Sequence, residues 1–560
     1  MKLNVPKISK GHKKALLITG AVVSVLIISF IIFINRIVEP ILKQKLHSLI
    51  IDGSDKLYTY SLGDLDAHFL SGSVEVENLQ IQVDSTRYKQ LAKDDSLPSL
   101  TMQVNVVKAH IKGIRILPLL LNKKIKLREI MSHDADVVLI RHINKRKSVE
   151  KVPLWKSLQP AINGISVDKV NLDGVKLLYK HADTSESMKI QFDHCVALME
   201  NLRIDSAAAS DTNRIVYAKI LSLQFNDLKY RTADSSHKMK AEVITYSSSS
   251  KLLELKGYKV QPTLKGDAFF KKIGHRESWH IITVDLLRVT NFNFTKLLHE
   301  NMFSADTAFV VNPDINIYMD KTYLPSMKNK IGNYPHQNLL GAKFGINIRG
   351  IKMEDLDLLY TERSDVTLQE GAFTLKDVNL LISNVTNDSA LIKENPKSIA
   401  VMDGIILGKS PMHVTYTFHL DSSNGAFETS GLVKNVAASQ LNGLAVPLAN
   451  VRLESFNIHE LKFNIRGDDL RTTGNISMLY DNLALTFLKI DPETGTTSKK
   501  GFLTKIVNKY TIKQGNPSGG TVARTANGVQ RARISNQSFF GFIWKTIFYG
   551  MQNIIMDVGS

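Results

Sequence analysis

The stretch GISVDKVNLDGVKLLY (Gly164–Tyr179) returns later in the chain, without a gap, as GINIRGIKMEDLDLLY (Gly345–Tyr360). Gly164 aligns with Gly345, Ile165 with Ile346, Val167 with Ile348, Val170 with Ile351, Leu172 with Met353, Val175 with Leu356, Leu177 with Leu358 and Tyr179 with Tyr360, while almost every polar residue changes. The apolar spacing runs two, three, two, three, two. A spacing of two marks a strand with one apolar face, and a spacing of three reverses the face of a regular strand. The chain is therefore expected to bulge, bend or turn at Asp168-Lys169 and Asp173-Gly174, and at Arg349-Gly350 and Glu354-Asp355, so that one face stays apolar.

Upstream, GSVEVENLQI repeats the first half of this frame, with Val74, Val76, Leu79 and Ile81 in place of Ile165, Val167, Val170 and Leu172. Three related segments point to a repeating β architecture whose units stack on their neighbours. In MHVTYTFHLD, Val414, Tyr416, Phe418 and Leu420 face one way and His413, Thr415, Thr417 and His419 the other. Similar alternation in LSLQFNDLKY and AFTLKDVNLLI makes the body mostly β. Helical candidates between strands are few: WKSLQPAIN near Trp155 and TKLLHENMF near Phe303. A long sheet with few helices hides its apolar face against a second sheet or by curling on itself, as a solid core or a trough; periodicity does not separate the two.

With 560 residues, the chain is long enough for two or three domains or for one extended repetitive architecture. A single cysteine, Cys195, forms no internal disulfide, zinc tetrad or redox pair, so the fold stands on packing. The net charge of +18 is concentrated in blocks. Residues 1–14 hold five lysines and no acid, residues 108–151 twelve basic and four acidic residues, and residues 489–533 nine basic and two acidic ones. Separate blocks without interleaved aromatics argue against a nucleic-acid track and suit anionic headgroups, protein partners or plain solvated surface.

Ala15–Ile34, ALLITGAVVSVLIISFIIFI, is uncharged and about the 20 residues that span a hydrocarbon core. The five lysines before it outweigh Arg36, Lys43 and Lys45 after it, so the bulk of the chain is expected across the membrane from the cytoplasm. No small-residue cleavage site follows, which favours a retained anchor over a cleaved signal. Val38, Ile41, Leu42, Lys45, Leu46, Leu49 and Ile50 continue at helical spacing. The expected organisation is a basic cytoplasmic tail (1–14), a transmembrane anchor (15–36), a membrane-proximal amphipathic helix (37–62), a β body (63–510), a flexible basic linker (511–537) and a terminal helix (538–560). In that helix Phe539, Phe540, Phe542, Trp544 and Phe548 suit membrane contact, with a cap on the β body as the alternative.

No catalytic constellation is legible. GIILGKS (Gly404–Ser410) is one residue short of a phosphate loop and precedes Pro411 and a strand rather than a helix. His459-Glu460 and His299-Glu300 lack a second histidine four residues after the first, since Phe463 and Phe303 stand there. Asp94-Asp95 and Asp468-Asp469 read as turn residues. A non-enzymatic chain without cofactor or metal is expected.

The segment GIRILPLLLNKKIKLREIMSHDADVVLIRH (Gly113–His142) resembles the amino-terminal region of AsmA-like proteins, and GNISMLYDNLALTFLK (Gly474–Lys489), with Tyr480 and Leu483, resembles their carboxy-terminal signature. The tail FFGFIWKTIFYGMQ is similar to that of the branch found in Bacteroidetes-type bacteria. The resemblance, to a TamB-related family akin to bridge-like lipid transfer proteins, implies an inner-membrane-anchored periplasmic chain. It also implies an elongated, strongly curved β-sheet forming an apolar groove along which phospholipid acyl chains move, and an envelope role in outer-membrane biogenesis. No catalytic residues carry over.

The expected groove lining is Val74, Val76, Leu79, Ile81, Ile165, Val167, Val170, Leu172, Val175, Leu177, Ile346, Ile348, Ile351, Met353, Leu356, Leu358, Val414, Tyr416, Phe418 and Leu420; by composition it is indistinguishable from a core. Exposing an acyl chain of about sixteen methylenes costs on the order of 13 kcal/mol, so a carrier must shield it almost continuously. About 25 stacked strands at ~4.8 Å would reach about 120 Å. The expected partners are phospholipid, the inner membrane through the anchor, and the outer membrane or an envelope protein through the terminal helix. An envelope scaffold without lipid is the alternative.

Overall fold

The computed structural model describes residues 43–557 except 45, 49, 69–70, 116–117, 119–120, 143–154, 157–161, 183–188, 233–234, 491–496, 502–503 and 505–506. The expected tail and anchor lie outside the described residues. The chain is mostly β and divides into two compact units, Met1–Asn226 and Asp227–Ser560. Among the described residues no helix is long and apolar enough to cross a membrane.

Unit 1 contains β1 (Tyr58–Ser61), β2 (Asp64–His68), β3 (Ser73–Val83), β4 (Leu100–Lys112), β5 (Lys124–Arg141), β6 (Gly164–His181) and β7 (Lys189–Ile204), with short helices α1 (Ser85–Lys93) and α2 (Ser206–Ala209). β8 (Ile220–Arg231) spans the boundary. Unit 2 contains β9 (His237–Ser247), β10 (Leu252–Pro262), β11 (Ser278–Thr290), β12 (Met302–Val311), β13 (Asp314–Asp320), β14 (Gly345–Arg363), β15 (Glu370–Thr386), β16 (Lys397–Ile406), β17 (Ser410–His419), β18 (Phe427–Ala437), β19 (Val451–Gly467), β20 (Arg471–Ile490), β21 (Thr497–Lys499) and β22 (Thr525–Ala532). Its α-helices among the described residues are α3 (Asp267–Ile273), α4 (Phe294–Glu300), α5 (Pro335–Leu340), α6 (Ser389–Glu394), α7 (Ala438–Ala449) and α8 (Phe539–Met556), and Val507–Thr511 forms a π-helical turn.

The repeat seen in the sequence is the visible part of a larger one. In unit 1, β3–β4 and β4–β5 are antiparallel, β5–β6 parallel and β6–β7 antiparallel. In unit 2, β10–β11 and β11–β12 are antiparallel, β12–β14 parallel and β14–β15 antiparallel. Where β5 is continuous, its counterpart breaks into β12 and β13 at Asn312-Pro313, and both pieces pair with β14 in one unbroken register. Proline supplies no N–H to the ladder, which accounts for a break there. Parallel neighbours require a crossover, and in unit 2 it is the segment from Asp320 to Gly345 that carries α5. After β14 the strands run antiparallel in order to β20, with β22 on its edge and β21 on its far end.

The expected irregularity lies within the strand at the second three-residue spacing of each full copy; at the first, the left-handed residue stands on the partner strand instead. Asn78 in β3, Gly174 in β6 and Asp355 in β14 have φ of 52°, 68° and 55°. The ladder shifts around Val175 and around Leu356 in the same way in both copies. At Asp168 and Arg349 the ladder omits one pair, opposite Asn201 and Asn384, whose φ values are 53° and 55°. Val167 and Val170 are both buried while Asp168 and Lys169 between them are exposed, so the apolar face is kept across the three-residue spacing. Glycine, asparagine and aspartate tolerate the left-handed conformation and β-branched residues do not. A Cβ on Gly174 would also lie 2.9 Å from Asp134 Oδ1. Gly174→Val is therefore expected to lower the stability of unit 1 by about 1–3 kcal/mol in denaturant unfolding, with Gly174→Asn costing a fraction of that.

Three expected boundaries move, and a fourth element lies mostly outside the described residues. Helical residues at 43–44, 46–48 and 50 give way to a turn at Asp52–Ser54 and to β1, so the membrane-proximal helix ends well before residue 62. Of the Trp155 helix, only Trp155 and Lys156 are described, as helical. The second helical candidate stops at Glu300, and Phe303 belongs to β12. The expected flexible linker contains β22, which pairs with β20, and two anchored arginines. Arg524 donates from Nε to Ile554 O at 3.1 Å and from Nη2 to Gly515 O at 2.6 Å, and Arg533 Nη2 donates to Lys330 O at 2.7 Å. Charge-assisted bonds to backbone carbonyls offset the low apolar content of this segment.

Candidate functional site

Cross-strand register shows where the apolar residues go. In unit 1 one row runs Val74–Ile111–Ile130–Val170–Met199 through β3 to β7, and another runs Ile81–Val104–Val137–Leu177–Phe192. In unit 2 a row crosses twelve strands: Tyr246, Leu253, Val289, Ala308, Ile351, Ile382, Ala400, Tyr416, Thr429, Ile465, Gly474 and Val529. A parallel row beside it runs Ile244, Leu255, Leu287, Val310, Met353, Leu380, Met402, Val414, Gly431, Phe463, Ile476 and Ala526. Thr429 interrupts the first row and no charge interrupts either. Gly431 leaves room for the Phe463 ring, which a Cβ there would strike.

The opposite face is polar and charge-paired. Lys108 sits against both Glu75 and Glu77, Arg288 Nε lies 2.7 Å from Glu254, and Lys352 Nζ 2.7 Å from Glu354. The hydrogen bond from Lys108 holds the Glu75 carboxyl below its usual range. Such exposed pairs contribute little to stability and serve mainly to keep that face wet.

Coverage of the apolar rows divides the lining residues. Leu79, Ile81, Ile165, Leu172, Val175, Leu177, Ile346, Ile348, Ile351, Met353 and Leu358 are half-buried. Val74, Val76, Val167, Val170 and Leu356 are buried, Val74 and Val76 in a small core with Leu65 and Ala67. Val414, Phe418 and Leu420 are buried as well, and Val414 and Phe418, with Tyr416 packed beside them, belong to the principal core of unit 2. That core takes in Leu356 of β14 and Val378 of β15, with Met353, Leu380 and Ile382 packed against it, and fills the apolar face on to β22 with protein: α8 contributes Phe539, Phe542, Ile543, Ile547, Met551 and Ile554, and the crossover contributes Tyr334. Leu420 lies just beyond β17 rather than within it.

The terminal helix splits the five expected membrane contacts. Phe539 and Phe542 are core residues, so the membrane assignment is corrected for them. Phe540, Trp544 and Phe548 recur every fourth residue and are exposed on the outer face. Ser538 caps the helix by accepting from Gly541 N, Thr546 and Thr472 share a buried hydrogen bond of 2.7 Å, and a Cβ on Gly550 would lie 2.7 Å from Ile476. The helix is seated closely on β20.

Buried polar groups cluster at the same end. His336 makes no hydrogen bond of ordinary geometry from either ring nitrogen. Burial pushes its imidazole down to about 4, against the smaller opposing pulls of Asp469 and the nearby Gly425 backbone. Burial pushes the Tyr416 hydroxyl up to about 12. Cys195, opposite Val175, is pushed up to about 11 in the same way. Among the described residues no group of three or more histidine, cysteine or acidic side chains is placed to hold a metal. A cavity of about 520 Å³ is lined by residues that include His413, Leu432, Lys462, Phe463, Ile476 and Ser477. It gathers no nucleophile with an adjacent base.

Sequence reasoning missed the crossover with Tyr334 and His336, the pairing of β22, and the division of α8 into two faces. Tyr334-Pro335, a proline at a helix start, was the one local signal for the first. Compared with known proteins, the sequence matches no family model and no curated protein.

Proposed function

We propose that the chain is a membrane-anchored envelope protein that carries phospholipid acyl chains along the apolar face of its sheet, between the inner and outer membranes. The observation that supports this best is the pair of twelve-strand rows in unit 2, apolar at nearly every step. A stable protein has little reason to hold such rows in register unless something apolar covers them. The core under α8 and the crossover reaches Met353 on β14 and Leu380 and Ile382 on β15; Ile348 and Ile351, half-buried and not part of that core, are where an acyl chain would take over as the cover. The AsmA-like resemblance of Gly113–His142 and Gly474–Lys489 agrees with this reading. A second reading, an envelope scaffold with filled β units and no lipid, draws on the solid core under α8.

Photocrosslinking in living cells separates the two. Ile348 faces the apolar side, and its neighbour Arg349 is 81% exposed and 3.4 Å from Asp306. Phospholipid captured by a probe at Ile348 and not at Arg349 is the expected result. Protein-only adducts at Ile348, Ile351 and Leu177 would establish the scaffold.

A further inference from the structure

The corner of unit 2 where α8 begins gathers exposed apolar side chains from four separate parts of the chain. Lys330 N donates to Ser535 O at 2.6 Å, and Asn536 Nδ2 reaches Ser326 O at 3.4 Å. Arg533 N donates to Leu470 O at 2.8 Å and Gly332 N to Asp469 Oδ1 at 3.1 Å. The crossover, the β19–β20 turn, the segment after β22 and the first turns of α8 are thus tied together. On these pieces Met327 is 94% exposed, Leu470 63%, Ile534 57%, Phe540 63% and Trp544 52%. Isolated exposed apolar residues are ordinary, but a cluster of this kind marks an interaction surface.

Its charge says what covers it. Lys328, Arg471 and Lys545 are exposed in the same segments, with Lys330 partly so. The two acids at the corner are engaged internally: Asp468 Oδ1 accepts from Leu470 N and Arg471 N, and Asp469 accepts from Gln337 Nε2 at 2.7 Å and lies 3.2 Å from Arg533. Arg533 balances Asp469, and Lys328, Lys330, Arg471 and Lys545 outnumber Asp468, so the charge on these segments is positive. A tryptophan and phenylalanines beside lysines, on a helix whose other face is locked into a core, match the interface of a bilayer, where aromatic rings sit at headgroup depth and lysine stems snorkel.

We propose that this corner docks on a lipid bilayer bearing anionic headgroups, with Trp544, Phe540 and Met327 entering the interface and Lys328, Lys330 and Lys545 meeting the headgroups. This deepens the carrier reading, on which it rests for the presence of a membrane at this end of the apolar face. Docking through the outer face leaves the α8 core contacts intact.

The test uses the full chain with Trp155→Phe and Trp279→Phe, so that Trp544 is the sole indole, and vesicles containing phosphatidylglycerol or only phosphatidylcholine, with and without brominated acyl chains. On phosphatidylglycerol vesicles Trp544 emission is expected to shift blue and to be quenched at least twofold by bromine. Binding read by this quenching is expected to weaken about fivefold for each Lys→Gln change at 328, 330 or 545. A polarity-sensitive dye on Met327→Cys in a Cys195→Ser background gives an independent reading with the tryptophans unchanged, and should report an apolar environment on the same vesicles.

Both probes staying in water while the chain is vesicle-bound through another segment would overturn the proposal. So would an equal response on phosphatidylcholine, or a response to a soluble protein fraction and not to vesicles. Lipid capture at Ile348 without Trp544 insertion refutes this surface alone; insertion without capture refutes the carrier reading alone.

Discussion

With Ile351→Arg, lipid captured by the Ile348 probe is expected to fall more than tenfold while the chain stays folded. Ile351 stands in the twelve-strand row between Ala308 and Ile382, and it is half-buried and not part of the core beneath α8. A guanidinium there extends its stem along the sheet and keeps its head in water, at a folding cost of about 1–2 kcal/mol. An acyl chain crossing that point loses cover over roughly four methylenes, on the order of 3 kcal/mol, which is a factor of more than a hundred in occupancy. Capture yield and thermal unfolding measured on the same variant decide the matter. Undiminished capture refutes an acyl path over this row, and a loss of several kcal/mol of stability identifies a filled core instead, where an unpaired charge is prohibitive.

The second large effect is on stability. Phe542→Ala is expected to destabilise unit 2 by about 3–5 kcal/mol, because Phe542 is 1% exposed in the core beneath α8 and truncation leaves a cavity that a seated helix cannot close. Phe540→Ala, two residues earlier and on the outer face, is expected to change stability by less than about 0.5 kcal/mol. Denaturant unfolding of both variants, with protease cleavage between Arg533 and Ser538 as a local readout, tests the division of the helix. Equal effects of the two substitutions would remove the basis for assigning the outer face to a membrane.

Together these expectations place different roles on one continuous face. On the carrier reading a ligand covers the apolar face around Ile348 and Ile351 of β14, while from Met353, Leu380 and Ile382 onward the rows pack against the chain's own core. The carrier and scaffold readings differ in how far the second condition extends, and for that reason the probes belong at Ile348, Ile351 and Leu177 rather than at Val414 or Phe418.

Much of this was legible in the residue spacing. The two, three, two, three frame of Gly164–Tyr179 and Gly345–Tyr360 specified strands, one apolar face, and interruptions that the structure realises at Gly174 and Asp355 and opposite Asn201 and Asn384. Spacing reports which way a side chain points, and alternation is a local property of the backbone. The residues between Lys513 and Gln537 misled for a related reason: their glycine, serine and arginine content reads as linker, yet Arg524 and Arg533 pin them through backbone carbonyls far away in sequence. The aromatic run at Phe539–Phe548 was recognised as a helix, but periodicity does not say which of its faces meets protein.

By itself, then, the sequence determined the strands, their apolar face, the resets of the pleat and the repeat, because these follow from contacts within a few residues. Only the tertiary structure decided that β5 lies parallel to β6 and β12 to β14, that α8 and the crossover close the apolar face at one end, and that the segments carrying Met327, Leu470 and Ile534 are tied together where α8 begins. Those outcomes depend on which surfaces find each other across hundreds of residues, and a face that is apolar in the sequence is equally suited to lipid, to a helix or to another strand until the fold supplies its neighbour.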